Sequence, residues 1–403
     1  MSWEVKKLDD VCEIRAGNSA PQDKKMFNEG TYPFFRTSDV GKIHIGFIKD
    51  SADKLNDFGI NKLTLYKKGT LLFPKSGAST FLNHRVLMTV DGYVSSHLAT
   101  LKANNSILDD RFLFYFSLSI DSRELMQDQN YPSLRLSDIQ GITILIPPLS
   151  EQKRIVSILD EAFENITKAK ENAEKNLKNA KEIFESYLQS VFENKGEGWE
   201  DKKIGEICKL MTGGTPSRNK KEYFEGGIIN WLVSGDVNLK EINYCDGKIT
   251  EDGLKNSNAK YLPLNSVIIA LNGQGKTRGT VAMLRIKATC NQSLVSIYPN
   301  NTEMILPEYI YYNLDSRYNE IRKITGDSGN DRRVLNMPLI KNINISYPKS
   351  IDQQKKYIVK FKELKKNTKK LESIYNQELT DLEELKQSIL QKAFKGELTE
   401  VSA

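Results

Sequence analysis

The chain repeats itself. Trp3-Glu4-x-Lys6-Lys7-x₄-Cys12 returns as Trp199-Glu200-x-Lys202-Lys203-x₄-Cys208, 196 residues later. Gln152-Lys153 returns as Gln354-Lys355, and the same offset of 202 pairs Ser186 with Ser388, Leu188 with Leu390, Gln189 with Gln391 and Phe192 with Phe394. A unit of about 200 residues used twice predicts two similar sites held at a fixed separation by one fold built twice.

Each copy divides in two. A block of mixed character comes first, residues 1–148 and 198–348. Short apolar runs such as Gly69-Thr-Leu-Leu-Phe73 and Ser266-Val-Ile-Ile-Ala270 read as strands between turn residues. The aromatic stretches Arg111–Phe116 and Glu308–Asn313 read as helix. Each block closes on a strand that ends in proline, Ile142–Pro148 and Ile343–Pro348. Long helices follow in 149–197 and 349–403, with Ser150 and Ser350 at the positions of N-caps. Steps of four and three run through Ile155, Leu159, Ala162, Ile166, Ala169, Ala173, Asn176, Ala180, Ile183 and Tyr187. They run again through Tyr357, Phe361, Leu364, Thr368, Leu371, Tyr375, Glu378, Leu382, Leu385 and Ile389. These heptads place a polar residue, Asn176 or Glu378, at one core position of each helix. About 44 residues at 1.5 Å each make a rod of roughly 66 Å. The expected fold is therefore α+β: two mixed sheet-and-helix domains, with two long helices in an antiparallel coiled coil that puts the blocks at opposite ends.

The formal net charge is +6, concentrated in the second block and the last helix, which suits a polyanion partner without requiring one. No run of 18 apolar residues offers a membrane span. Met1-Ser2-Trp3-Glu4-Val5-Lys6-Lys7 lacks the basic-then-apolar order of a signal peptide. Cys12, Cys208, Cys245 and Cys290 have no CxxC spacing and read as buried thiols of a reducing cytoplasm.

Catalytic constellations are hard to find. Gly273-Gln-Gly275-Lys276-Thr277 suggests a phosphate loop, but Ala270 stands where that motif needs glycine, and strand rather than helix follows. The single Pro-Pro, at 147–148, follows Ile146 and not the Asp or Asn of a methyltransferase motif. Glu363/Lys365 and Glu384/Lys386 lie on the heptad rod, and His44, His84 and His97 are not spaced as metal ligands on one helix. What remains is a polar, glycine-rich surface present in both blocks. The first offers Arg36, Thr37 and Ser38, then Lys75, Ser76, Ser79 and Thr80, then Ser96 and His97, then Tyr131, Ser133 and Arg135. The second offers Thr215, Ser217, Arg218 and Ser234, then Asn272, Gln274, Lys276, Thr277 and Arg278, then Asn291 and Gln292, then Ser328, Asn330, Arg332 and Arg333. Such side chains read base edges and hold phosphates, and on composition alone they are also ordinary loop residues.

Four motifs carry a family resemblance: Thr212-Gly-Gly-Thr-Pro-Ser217, Trp231-x₂-Ser234-Gly235-Asp236-Val237, Asn291-Gln292, and Ile146-Pro-Pro-Leu-Ser-Glu151-Gln152 opening the first helix. With the duplicated layout, the whole chain resembles the specificity subunit of type I restriction–modification enzymes. The first copy departs from the pattern, with Ala16–Pro21 for the Gly-Gly-Thr-Pro-Ser form and Ser96-His97 for Asn-Gln; the second has Ser350-Ile-Asp-Gln353 for Pro-Leu-x-Glu-Gln. Divergent blocks suit a family whose two domains read different half-sites. The resemblance implies a non-catalytic, cytoplasmic prokaryotic protein that binds double-stranded DNA. Its helices would set an unread spacer and dock two methyltransferase subunits. S-adenosylmethionine would belong to those subunits, and ATP and magnesium to joining motor-nuclease subunits, with no cofactor on this chain. A coiled-coil adaptor without DNA binding is the alternative, and the repeated polar loops argue against it.

Overall fold

The computed structural model describes residues 3–126, 133–273, 275–324 and 335–398. Two compact units emerge, Met1–Glu174 with Gln377–Ala403, and Lys175–Asn376. Both long helices, Leu149–Glu193 and Ile351–Phe394, are divided between the units near their middles.

The strands of the first unit are β1 (Glu4–Lys7), β2 (Cys12–Ala16), β3 (Tyr32–Phe35), β4 (Ile45–Ile48), β5 (Asp53–Leu55), β6 (Thr70–Pro74), β7 (Arg85–Met88), β8 (Tyr93–Val94), β9 (Leu98–Ala103) and β10 (Thr143–Ile146). The second unit follows with β11 (Trp199–Lys203), β12 (Cys208–Thr212), β13 (Ile229–Leu232), β14 (Glu241–Ile242), β15 (Lys248–Ile249), β16 (Val267–Ala270), β17 (Val281–Leu284), β18 (Thr289–Cys290), β19 (Leu294–Pro299) and β20 (Asn344–Pro348). Sheet orders in the first unit are β2-β9-β6-β7-β4, β5-β3-β8 and β1-β10. Adding ten to every label gives the sheets of the second, so the sequence repeat is a topological repeat.

Burial explains the strand sequences. β6 and β16 are the middle strands of their sheets, and Thr-Leu-Leu-Phe-Pro and Val-Ile-Ile-Ala are buried at every position. Both faces are covered, so alternation disappears. The aromatic stretches form the helices Asp110–Leu118 and Pro307–Ser316. Asp109 caps the first by accepting from the Arg111 and Phe112 amides, and Pro307 opens the second where no intrahelical donor is needed. All four cysteines are free and buried; burial pushes the thiols of Cys12, Cys208 and Cys290 up to about 12.

Within each unit the long-helix segments run antiparallel. In the first, Arg154 donates to the Leu398 carbonyl at 3.1 Å, while Lys386 lies 5.3 Å over the ring of Phe163. In the second, Phe184 meets Lys365 at 5.8 Å and Tyr187 meets Phe361 at 6.1 Å. The seam differs from the expected heptads in one column. Leu159, Ala173, Ala180 and Phe361 are buried and Ile166 is half-buried. Asn176 and Glu378 are exposed, as are Ile183, Leu371 and Leu385 at 44%, 36% and 48%. Their C-terminal neighbours Leu177, Leu379, Phe184, Glu372 and Lys386 are the half-buried residues. Leu177, Leu379 and Phe184 are apolar, while at Glu372 and Lys386 long charged side chains take the seam position, their aliphatic stems covering apolar surface.

The helix starts also differ. Ser350 does cap the second helix, its Oγ accepting from the Gln353 amide at 3.3 Å. Ser150 caps nothing, because the first helix starts at Leu149, where the carbonyl of Pro148 already accepts from the Glu151 and Gln152 amides.

One side chain per unit fastens the helix to its block. Gln152 is fully buried. Its Oε1 accepts from the Asp109 amide at 2.8 Å, and its Nε2 donates to the carbonyls of Ile107 and Pro147 at 2.8 Å each. Gln354, also fully buried, repeats this with the Leu306 amide at 2.9 Å and the carbonyls of Met304 and Pro348 at 2.9 and 2.8 Å. Replacing either with leucine strands three buried backbone groups at about 1–3 kcal/mol each, less whatever water can repair. We expect Gln152→Leu and Gln354→Leu each to lower unfolding free energy by about 2–4 kcal/mol in urea titrations. A loss below about 0.5 kcal/mol would show that these bonds do not fasten the helices.

Candidate nucleic-acid interface

The predicted polar residues gather where strands of the five- and three-stranded sheets end together. In the second unit, Leu232 closes β13 and its carbonyl accepts from the Asn291 amide at 3.0 Å, while the Ser293 carbonyl accepts from Leu271, just past β16, at 2.9 Å. These bonds put residues 233–239, 271–273, 275–278 and 291–293 beside one another. Gly213-Gly214 completes the cluster. A Cβ on Gly213 would sit 1.8 Å from the Cys290 carbonyl oxygen, so only glycine lets the strand pass. The Gly214 carbonyl accepts from the buried indole of Trp231 at 3.0 Å.

That packing delivers Thr215 to Gln292. The Thr215 hydroxyl donates to Gln292 Oε1 at 2.6 Å, and Gln292 is exposed. Its amide is thus oriented before any ligand arrives. Asn291 acts on the backbone instead. Its Oδ1 accepts from the Ser293 amide at 2.9 Å, which shapes the turn presenting Gln292. Ser234 is half-buried, and in the same motif Asp236 accepts from the Val233 amide at 2.7 Å. Burial, with Asp246 adding to it, lifts the Asp236 carboxyl above the usual carboxylate range. Ser217, Arg218, Asn272 and Lys276 are exposed, while Thr277 and Arg278 are half-buried.

Sequence reasoning missed the residues that hold this loop. Tyr318 donates to the Lys276 carbonyl at 2.8 Å, Arg322 to the Gly275 carbonyl at 2.6 Å, and Asn238 to the Thr277 hydroxyl at 3.3 Å. Tyr318 and Arg322 lie on the helix Tyr318–Ile324, 42 and 47 residues from the carbonyls they hold, and nothing local in the sequence marks them.

The first unit repeats the arrangement with other side chains. Phe35 ends β3, and its carbonyl accepts from Ser95 at 2.9 Å. Because Phe35 pairs with Val94 as Leu232 pairs with Cys290, Ser95-Ser96 occupies the place of Asn291-Gln292. This corrects the alignment that put Ser96-His97 there; His97 corresponds to Ser293. Exposed His97 shares a 2.8 Å hydrogen bond through Nδ1 with Ser76 Oγ, and Ser76 bridges to Ser133. Lys75 joins the same strip through its backbone, donating to the His97 carbonyl at 3.0 Å and accepting from Leu134 at 2.8 Å. Ser79 donates to the Thr37 carbonyl at 3.3 Å, and Ser38 and Arg135 are exposed.

Two predicted contacts fare differently. Thr80 is fully buried, because the single-turn helix Ala78–Phe81 points it into the protein, so it is no surface residue. Arg36 is half-buried, its Nε 2.5 Å from Asp53 Oδ2 and its guanidinium 5.0 Å over Phe34, which commits it to the fold. Tyr131, Gln274, Ser328, Asn330, Arg332 and Arg333 lie outside the described residues. Among the described residues, no group of three or more His, Cys, Asp or Glu is placed to hold a metal ion, and no helix is long and apolar enough to cross a membrane.

Comparison with known proteins agrees with this architecture. The model of the type I restriction modification DNA specificity domain matches twice, over residues 1–178 and 196–381. The type I restriction enzyme EcoR124I/EcoR124II specificity subunit of Escherichia coli is 31% identical over 208 residues, which is 51% of this chain and 50% of that protein. The MjaVIII specificity subunit of Methanocaldococcus jannaschii is 24% identical over 98% of this chain and 93% of its own length. In fold, the HsdS subunit from Thermoanaerobacter tengcongensis superposes with a TM-score of 0.65 at 18% identity, covering 98% of this chain and 97% of that one. A chain from a study of complex assembly and conformational transition in the type I R-M system gives a TM-score of 0.77 at 19% identity, covering 98% of both chains. The chain belongs to the type I restriction–modification DNA specificity family and carries two copies of its domain.

Proposed function

We propose that each unit reads one half of a split, asymmetric DNA sequence through its loop cluster, and that the chain itself makes and breaks no bond. The observation that carries this is the pair of topologically equivalent clusters with unlike side chains. Thr215 orients Gln292 in one, and Ser76 engages His97 in the other. One scaffold with different readers suits a target whose halves differ. A glutamine amide matches the N6 and N7 edge of adenine, and the basic 272–278 loop suits guanine or phosphate. The paired helices would fix the unread gap between the halves. Methyltransferase subunits carrying S-adenosylmethionine would dock on the chain, and motor-nuclease subunits using ATP and magnesium would join them. Ile183, Leu371, Ile374 and Leu385 are exposed apolar residues of the long helices that suit such docking.

Replacing residues 1–148 with the corresponding block of another family member should change one half of the methylated sequence and leave the other half and the gap unchanged. A change in both halves would refute modular reading. Gln292→Ala should relax specificity at one position of the second half-site by about 1–3 kcal/mol. Thr215→Val should weaken the same contact less, by releasing the glutamine. Identical methylation rates of both variants across all single-base variants of the site would exclude Gln292 as a reader.

A further inference from the structure

Both units contain a groove between the aromatic helix and the long helices. In the first it is about 750 Å³, floored by Phe47, Phe114, Tyr115 and Phe163. Its long-helix wall presents Thr167 and five carboxylates, Asp160, Glu164, Glu171, Glu174 and Glu383, against three lysines, Lys168, Lys170 and Lys386. Asp160 accepts from Arg111 and from the Tyr115 hydroxyl. In the second unit the groove is about 570 Å³, floored by Tyr311, Tyr312 and Met283. Its wall is Lys362, Lys365, Lys366 and Lys369. Adding 202 to Asp160, Phe163, Glu164 and Thr167 gives those four lysines. The same place in the repeat has therefore inverted its charge.

The inversion extends along the helices. Residues 351–376 hold eight lysines against three carboxylates, whereas 149–174 hold four basic residues against six acidic ones. In the basic groove the carboxylates lie on the opposite wall and are already engaged. Asp315 is 2.7 Å from Lys240, and Arg285 is 3.3 Å from both Glu241 and Glu308. Half-buried Lys365 donates to the Tyr311 hydroxyl at 3.2 Å and lies 5.5 Å over that ring. Burial lowers its pKa, and Lys240 and Lys369 lower it further, while Asp315 and Glu241 act the other way. Four ammonium groups crowded on an aromatic floor form a site whose free energy falls when an anion enters.

We propose that this groove docks an acidic segment of a partner protein, with carboxylates at helical spacing to meet Lys362, Lys366 and Lys369, and that the equivalent groove of the first unit does not take the same segment. The proposal rests on the reading that methyltransferase subunits dock on this chain. A protein segment fits better than DNA, since a groove of about 570 Å³ with an aromatic floor admits side chains but not a duplex.

The test is lysine acetylation footprinting, read by mass spectrometry, on the full chain alone, with a candidate methyltransferase subunit from the same genome, and with duplex DNA. We expect the methyltransferase, and not the duplex, to slow acetylation of Lys362, Lys366 and Lys369. The triple variant Lys362→Glu/Lys366→Glu/Lys369→Glu should weaken that complex by about tenfold or more and flatten its dependence on salt. A complex that forms with these lysines as reactive as in the free chain overturns the proposal and leaves the docking reading intact. Protection by duplex DNA instead of protein also overturns it. Absence of any complex with the unaltered chain would remove the docking reading, and this proposal with it.

Discussion

Two buried glutamines tie this fold together. A long helix leaving a sheet domain has unsatisfied backbone groups at its start, and so has the loop that receives it. Gln152 and Gln354 each answer three backbone groups of the receiving loop and the closing strand, not of the helix itself, with one amide, one acceptor and two donors in a fixed plane. No apolar residue could do this, and a charged one would lack either donors or acceptors. The start of each long helix is fastened to its block by this contact. Around it pack the aromatic clusters, Phe394 against Phe112 and Phe116 in one unit, Phe361 against Tyr187, Phe192 and Tyr312 in the other.

On this frame the two units are free to diverge where nothing is fastened. Strand order, register and glutamine contacts repeat, while the loop clusters and helix-side grooves do not. The second unit presents an oriented Gln292 and a loop held by Tyr318 and Arg322. The first presents His97 braced by Ser76. Keeping the scaffold while changing the exposed side chains is what the proposed bipartite asymmetric target would require.

Much of this was legible in the sequence because it depended on repetition and local pattern. Doubled motifs marked the two blocks, buried apolar runs marked β6 and β16, and glycine and asparagine clusters marked the loops. What escaped depended on three-dimensional context. One column of each helix seam was misplaced by one residue at Asn176, Ile183, Leu371, Glu378 and Leu385, while Ile155, Ala162, Ala169, Tyr357 and Leu364 of that column lie in the seam as expected; Leu371 and Leu385 look more like core than Glu372 and Lys386. Long charged side chains can seal a seam with their stems. Thr80 resembled a loop hydroxyl until a single helical turn buried it. The equivalence of Ser95-Ser96 with Asn291-Gln292 needed the strand pairing, since their chemistry differs. Tyr318 and Arg322 brace a loop from 42 and 47 residues away, beyond any local signal.

The central claim is that one chain reads two unlike half-sites across a gap set by its own helices. Its most direct test is to co-express the chain with a candidate methyltransferase subunit from the same genome and map methylated adenines across the host genome by single-molecule sequencing. The expected result is one split motif with two different halves and a single gap length. A stable complex that leaves no such motif, or one whose gap varies from site to site, would contradict the claim.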